Sequence, residues 1–83
     1  GLEVGCFRLH PLSPLVGRKL SDSQLRQEHG MTVLLIRRGA TLLSNPSSDT
    51  ELQADDVVIV LGEQLTQKSG EVFAPVLVAV PTT

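Results

Sequence analysis

Residues 13–62 read SPLVGRKLSDSQLRQEHGMTVLLIRRGATLLSNPSSDTELQADDVVIVLG, and this stretch decides the fold. A turn of small residues leads into a helix-forming segment, which is followed by an apolar strand ending in Arg37-Arg38-Gly39. The turns at Asn45-Pro46 and Asp55-Asp56 then precede a second apolar strand. Proline, glycine and asparagine interrupt regular structure, whereas short apolar runs rich in β-branched residues form strands. The order of these signals therefore predicts one helix followed by three strands.

A single short helix is predicted over residues 21–29. Ser21 followed three residues later by Gln24 fits a capping box, in which the serine side chain caps the first turn. Gly30 can adopt the left-handed conformation that ends a helix. If Ser21 is the cap, replacing it should destabilise the domain more than replacing Ser23.

Four strands are predicted, over residues 1–9, 31–37, 41–44 and 57–61. The second is apolar almost throughout, so we expect it to be buried on both faces. Gly39 can take a positive φ, which closes a hairpin between the second and third strands. The order β, loop, α, β, β, β predicts an α+β domain with a small twisted, mostly antiparallel sheet or an open barrel and one short helix.

Alternation in the first strand predicts which of its side chains share a face. One face carries Leu2, Val4 and Cys6, and the other carries Phe7 and Leu9. With only 2% aromatic residues and 41% hydrophobic residues in 83 positions, the core must be built from Val, Leu, Ile and Ala. Because such a small core is marginal by itself, we expect a homodimer.

The chain divides into a domain over residues 1–69 and an apolar tail over residues 70–83, which we expect to pack on the domain or on a partner. No apolar run reaches the roughly 18 residues of a membrane span, and no signal peptide is visible. The chain begins with Gly1, which suggests a piece of something larger. Seven basic and nine acidic residues give a net charge of −2 without a basic stripe, which argues against nucleic acid and anionic membrane surfaces as partners.

Neither a metal site nor a catalytic site is predicted. Four carboxylates, which lack the spacing of a calcium loop, are interpreted as a solvated acidic rim: Asp49, Glu51, Asp55 and Asp56. Three further reactive side chains have neither metal-ligand spacing nor the orienting groups of a catalytic constellation: Cys6, His10 and His29. We therefore expect a protein that is not an enzyme.

Arg37 and Arg38 end the second strand, so by alternation one points toward the sheet interior or an interface and the other points away. A guanidinium at this position can fork onto a phosphate or a carboxylate. Both arginines can instead be solvated hairpin residues that protect a sheet edge. Asn45 likewise has two interpretations, as a ligand-binding amide or as an Asx turn before proline.

Three segments, SPLVGRKL, LLIRRG and NPSSDTELQADDVVIVLG, with the spacing between them, resemble the TrkA-C family, the C-terminal subdomain of regulators of K+ conductance. The resemblance implies a cytoplasmic, dimerising, ligand-sensing module attached to an ion channel or transporter. In this family a nucleotide-binding Rossmann half normally lies upstream, and this chain carries no dinucleotide fingerprint.

The resemblance also implies where a ligand lies, at a dimer interface near residues 31–38 and the Asn45-Pro46 turn. The ligand-binding residues that this implies are Thr32, Val33, Arg37, Arg38, Asn45 and Pro46. In this interpretation Arg38, or Arg37 instead, supplies the positive charge. Asn45 provides specificity, and Thr32 and Val33 form an apolar floor. The ligand would be a small anion such as a cyclic dinucleotide or another nucleotide, with no other cofactor.

Two functions are compatible with these features. The first is a regulatory ligand-binding and dimerisation domain of a K+ channel or of a cation/proton or other transporter. It would lie in the cytoplasm, next to an inner-membrane transport protein that is part of the same polypeptide or a separate subunit. The alternative is a structural dimerisation module of a transporter that binds no ligand.

Overall fold

The structure is a computed structural model, and it describes residues 1–63, Leu65 and Phe73. Two helical segments and four strands follow one another as β1 (Leu2–Arg8), α1 (Leu20–Ser23), α2 (Leu25–His29), β2 (Thr32–Arg38), β3 (Thr41–Ser44) and β4 (Val57–Glu63). The strands form one antiparallel sheet in the order β1-β4-β2-β3. The predicted α+β class and all four predicted strands are confirmed.

Strand β4 lies inside the sheet and shows which face is the core face. Its residues alternate in burial, with Val58 and Val60 fully buried and Ile59 half-buried between them. The predicted alternation in β1 is also confirmed, because Leu2, Val4 and Cys6 are exposed while Phe7 turns toward the core. Only one face of the sheet is therefore packed against the rest of the described chain.

The prediction that the second strand is buried on both faces is wrong for the single chain. Along β2 only Ile36 is buried, while Thr32 and Arg37 are exposed and the remaining residues are half-buried. The physical reason is that the helices and the connecting loops pack on the same side of the sheet. A nearly continuous apolar sequence does not by itself guarantee a covering layer on each face.

Within the described residues the core is a single cluster of nine buried side chains, namely Leu9, Leu15, Leu25, Met31, Ile36, Leu52, Val58, Val60 and Phe73. Phe73 is 1% exposed, and its ring stacks on that of Phe7 with a centroid distance of 5.0 Å and an interplanar angle of 15°. Its carbonyl accepts a hydrogen bond of 3.0 Å from the His10 N–H. The core thus uses both aromatic residues of the chain.

The predicted hairpin turn is confirmed at Gly39, which has φ +60° and open space where a Cβ would lie. Strands β2 and β3 pair from Arg38↔Thr41 to Leu35↔Ser44. Because only glycine adopts this φ at little cost, the residue fixes the position of the turn and with it the register of the hairpin.

The prediction of one helix capped by Ser21 is wrong in two respects. The helix is divided at Gln24, whose φ of 57° is left-handed, and α1 begins after Lys19 without a side-chain cap bond. The backbone N–H groups of Leu20 and Ser21 instead donate to the carbonyls of Thr50 and Ser48, each at 2.9 Å. Because these carbonyls satisfy the first free N–H groups of the helix, a capping side chain is not required.

Ser23 rather than Ser21 makes the side-chain hydrogen bonds of this region. It is 7% exposed, and its hydroxyl donates to the Leu20 carbonyl at 2.7 Å and accepts from the Leu25 N–H at 3.5 Å. We therefore expect Ser23→Ala to lower the free energy of unfolding by about 1 kcal/mol. Ser21→Ala should cost less than about 0.5 kcal/mol, because an exposed serine without a cap bond loses little. Urea unfolding of both variants tests this, and equal midpoints would contradict it.

The predicted division between residues 69 and 70, and the predicted tail over residues 70–83, lie outside the described residues apart from Phe73. Among the helices that the structure describes, none is long and apolar enough to cross a membrane.

Candidate functional site

A cavity of about 340 Å³ opens between the two helical segments, the start of β2 and the loop that follows β3. Its lining residues come from all of these elements: Leu20, Ser21, Ser23, Arg26, Gln27, Met31, Thr32, Val33, Pro46 and Ser48. The volume lies at the lower end of the range for small-molecule sites.

The helical wall of this cavity takes its shape from two left-handed residues. Gln24 redirects the chain between α1 and α2, and Gly30, with φ +64°, redirects it from α2 into β2. The N–H groups of Gly30 and Met31 donate to the carbonyls of Arg26 and Leu25 at 3.2 and 3.0 Å, which closes the end of α2. The polar side chains of α2 and the first residues of β2 are thereby held around the same space.

The opposite wall is the loop around Pro46. Asn45 has φ 47°, and its N–H donates to the Leu34 carbonyl at 3.1 Å, which holds the start of the loop against β2. The Ser48 carbonyl accepts from the Ser21 N–H and ties the loop to α1. Backbone hydrogen bonds to β2 and to α1 therefore hold this loop in place as a wall of the cavity.

The chemistry of the lining favours an anion that carries an apolar part. Arg26 provides a guanidinium and Gln27 an amide, while Met31, Val33 and Pro46 provide apolar surface. Two serine hydroxyls and one threonine hydroxyl can donate or accept hydrogen bonds, whereas the third serine hydroxyl already donates to a backbone carbonyl. None of the lining residues that the structure describes is acidic, so these residues place no negative charge where it would repel an anionic ligand.

Three of the six predicted site residues line this cavity together, namely Thr32, Val33 and Pro46. Arg37, Arg38 and Asn45 are not among its lining residues. The cation that the structure does place there, Arg26, was not among the predicted site residues. The signal available in the sequence was the run Arg26-Gln27-Glu28 on the exposed side of a short helix.

Arg38 forks onto Asp56 instead. Its Nε and Nη2 donate to Oδ1 and Oδ2 of Asp56, each at 3.0 Å, and Nη2 also donates to the Glu51 carbonyl at 2.8 Å. The Gln53 N–H donates to Asp56 Oδ2 at 2.9 Å. Hydrogen bonding to Asp56 raises the pKa of the Arg38 guanidinium above its usual value. The ligand-binding role of Arg38 stays a prediction, and this geometry favours a structural role.

The interpretation of the four carboxylates as a solvated rim needs a correction at Asp56, which is fully buried. The other three are exposed, and Asp55 pairs with Arg8 on the surface. No group of three or more metal-ligating side chains converges within the part of the chain that the structure describes. His10 has a local role, since its Nδ1 accepts the Leu12 N–H at 3.0 Å.

Two curated relatives are transport proteins. The chain is 36% identical over 76 residues to "Probable sodium/sulfate cotransporter 3" of Chlamydomonas reinhardtii, covering 90% of this chain and 8% of that protein. It is 38% identical over 52 residues to "Ktr system potassium uptake protein A" of Vibrio alginolyticus, covering 63% of this chain and 24% of that protein. The chain thus spans less than a quarter of the length of either relative.

Among solved structures, the fold is similar to an RCK_C domain dimer of S. agalactiae BusR in complex with c-di-AMP. The TM-score is 0.68 at 13% sequence identity, and the similarity covers 74% of this chain and 80% of that chain. At this identity the comparison establishes the fold.

The sequence model of the TrkA-C domain family matches residues 7–64. This range includes β1 from Phe7 onward, both helical segments, the lining residues of the cavity and β4. These residues make up most of the chain, and the family is one of regulatory domains rather than of enzymes. Together with the sheet order and the relatives above, this match places the chain in a family: it belongs to the TrkA-C domain family.

Proposed function

We propose that this domain is a cytoplasmic regulatory module of a K+ channel or of a cation/proton or other membrane transporter, and that its cavity binds a small anionic ligand such as a nucleotide. The observation that carries the proposal is the cavity lining, in which Arg26 and Gln27 face an apolar floor without any carboxylate. A guanidinium holds phosphate through charge-assisted hydrogen bonds, and an apolar floor can receive a base. The transport functions named for the two relatives support the same class of parent protein.

A cyclic dinucleotide, which has two phosphates and two bases, suits a site that two copies of the domain share. Strand β3 pairs with β2 only between Leu35 and Arg38, so on the edge of β2 that faces away from β4 the described residues provide no strand partner for residues 32 and 33. This edge adjoins the cavity through Thr32 and Val33. A homodimer across it would place two cavities side by side. The S. agalactiae domain of similar fold is a dimer in complex with c-di-AMP, which supports a dimer that binds such a ligand.

Regulation requires that the ligand bind one arrangement of the two copies more tightly than another. A ligand with equal affinity for both arrangements shifts nothing, however tightly it binds. The boundary between α1 and α2 at Gln24 is a suitable place for such a difference, because both segments contribute to the cavity wall. In this proposal the parent transport protein responds to the change in the dimer.

The proposal predicts that Arg26→Ala weakens binding of c-di-AMP by about 10- to 100-fold, since a hydrogen bond to a charged group contributes roughly 1.5–3 kcal/mol. Isothermal titration calorimetry of the complete chain with c-di-AMP, ATP and AMP measures the effect. Arg18→Ala is the matched control, because Arg18 is an exposed arginine outside the cavity lining. Asn45→Ala and Arg37→Ala in the same series test the roles that the sequence predicted for those residues.

The alternative, a structural dimerisation module without a ligand, makes a different prediction for the same titration. It would leave the wild-type chain without binding heat for any of the three nucleotides at millimolar concentration, while the chain stays dimeric. Equal affinities for wild type and Arg26→Ala would also count against the proposed site.

A further inference from the structure

The side of the sheet that faces away from the core carries a continuous apolar surface, here called the outer face. The registers of β1, β4, β2 and β3 place two polar side chains, Thr32 and Ser44, at its margin and eight apolar side chains on it, namely Leu2, Val4, Cys6, Leu35, Leu42, Val57, Ile59 and Leu61. Residues that are partners on neighbouring strands point to the same side of the sheet, and along each strand the side alternates from one residue to the next. None of the eight apolar side chains is among the lining residues of the cavity, whereas Thr32 belongs to both surfaces.

The outer face has no covering layer among the described residues. Leu2, Val4 and Leu42 are 65%, 66% and 61% exposed. Even on the interior strand β4, Ile59 and Leu61 are only half-buried, whereas Val58 and Val60 on the core side are fully buried. From strand spacing and rise, the face measures about 400 Å² in projection. An apolar patch of this size on a small domain indicates an interaction surface.

Charge is arranged at the two ends of the outer face and not in its middle. Arg37, on the same side as Val57 and Leu42, lies at one end, and Glu63, opposite Leu2, lies at the other. The two ends are six residue steps apart along β4, which corresponds to about 20 Å. Both side chains are exposed and have no ion-pair partner within residues 1–63. Arg8, at the same end as Arg37, already pairs with Asp55.

We propose that the outer face docks on the outer face of a second copy of this chain, through a two-fold axis that runs across the strands. Such an axis reverses the strand direction between the two sheets, so the Arg37 end of each copy meets the Glu63 end of the other. An axis along the strands would instead bring like charges together. Aligned sheets pack about 10 Å apart with their side chains interdigitated, which the apolar middle of the face permits.

This contact is separate from the β2 edge beside the cavity. Its two-fold axis lies at the sheet face, whereas the proposed ligand-sharing dimer lies at the sheet edge. A chain that uses both contacts forms an assembly of four copies, in which two ligand-sharing pairs are joined back to back. The outer-face contact can therefore be tested independently of ligand binding.

Cys6, the only cysteine of the chain, provides a direct probe of the contact. In the proposed arrangement the two β1 strands lie over one another, so the two thiols come within reach of a short bismaleimide that spans the sheet spacing of about 10 Å. We expect the wild-type chain to be cross-linked as a pair. Val4→Lys should reduce the cross-linked fraction by tenfold or more, because it places a charge in the apolar middle of the face. Leu12→Lys, at a residue that is 74% exposed and outside the face, should leave the fraction unchanged.

A charge exchange tests the orientation of the two copies. Arg37→Glu and Glu63→Arg should each lower the cross-linked fraction by about tenfold, since the two-fold axis turns every single reversal into two like-charge contacts. The double variant should restore the wild-type fraction.

The following results would overturn the proposal. Cys6 that reacts with a monofunctional maleimide but gives no cross-linked pair would show that the face has no second copy on it. Cys6 that is protected in a monomeric chain would assign the face to another segment of the same chain. Failure of the double variant to restore cross-linking would exclude the proposed two-fold axis.

Discussion

Replacing Arg38 by alanine should lower the free energy of unfolding by about 3–5 kcal/mol, which is the usual cost of removing one partner of a buried ion pair. The variant leaves Asp56 fully buried, with the Gln53 N–H as the one remaining hydrogen-bond donor that the structure places on it. It also frees the Glu51 carbonyl, which no longer accepts the Arg38 guanidinium. Urea unfolding followed by circular dichroism measures the loss.

The matched variants separate the pair from its surroundings. Asp56→Ala should cost less, about 1–3 kcal/mol, because the Arg38 side chain is 33% exposed and can turn its charge toward water. Arg18→Ala, which removes an exposed arginine, should stay within about 0.5 kcal/mol of wild type. If Arg38→Ala unfolds at the same urea concentration as Arg18→Ala, Arg38 has no structural role and is available for a ligand, as the sequence first suggested.

Phe73→Ala should lower the free energy of unfolding by about 3–5 kcal/mol, the range for a large aromatic side chain removed from a core. Phe73 is 1% exposed and supplies one of the two rings in a core that is otherwise aliphatic except for Met31. Its substitution also removes the stack on Phe7. Urea unfolding at a fixed protein concentration measures the effect.

Leu12→Ala is the control for Phe73→Ala, because it removes a large apolar side chain that is 74% exposed. A double-mutant cycle with Phe7→Ala should give a coupling of about 0.5–1.5 kcal/mol between the two rings. A Phe73→Ala variant as stable as Leu12→Ala would show that residues beyond β4 are not needed for the core.

The strands were predictable because their signals are local. The apolar run at residues 57–61 and the alternation from Leu2 to Leu9 both act within a few residues, and Gly39 marks the hairpin without reference to the rest of the chain. What these signals could not reveal is how many faces of the sheet are covered. Burial on both sides of β2 depends on what packs above the sheet, and a strand sequence does not contain that information.

The start of the helix, and which of its serines makes side-chain hydrogen bonds, depended on residues distant in the sequence. The loop carbonyls of Ser48 and Thr50 satisfy the first N–H groups of α1, which makes the capping box at Ser21 unnecessary. A sequence pattern can identify a residue that is able to cap, but it cannot tell whether another part of the chain already does so. Ser23 therefore makes the side-chain hydrogen bonds that the capping pattern had assigned to Ser21.

The candidate site was predictable in part for the same reason. Thr32, Val33 and Pro46 follow from the family resemblance and do meet at one cavity. Arg38 lies 18 positions from Asp56 in the sequence, so the two side chains meet only in the folded domain. The sequence pattern therefore gave no indication of this ion pair. Arg26 lies at the cavity because the chain changes direction at the left-handed residue Gln24 before α2. No residue of the sequence pattern predicts this change of direction.

The register of β1 determines the order in which the fold can be completed. Among the described strands β1 pairs only with β4, from Leu2↔Glu63 to Arg8↔Val57, so β1 finds this partner only after the intervening residues 9–56 have been made. The β2–β3 hairpin, by contrast, needs only neighbouring residues and can form early. During synthesis the apolar β1 segment must therefore wait in an unpaired state until residues 57–63 have emerged, and this interval is the time when the nascent domain is most exposed to misassembly.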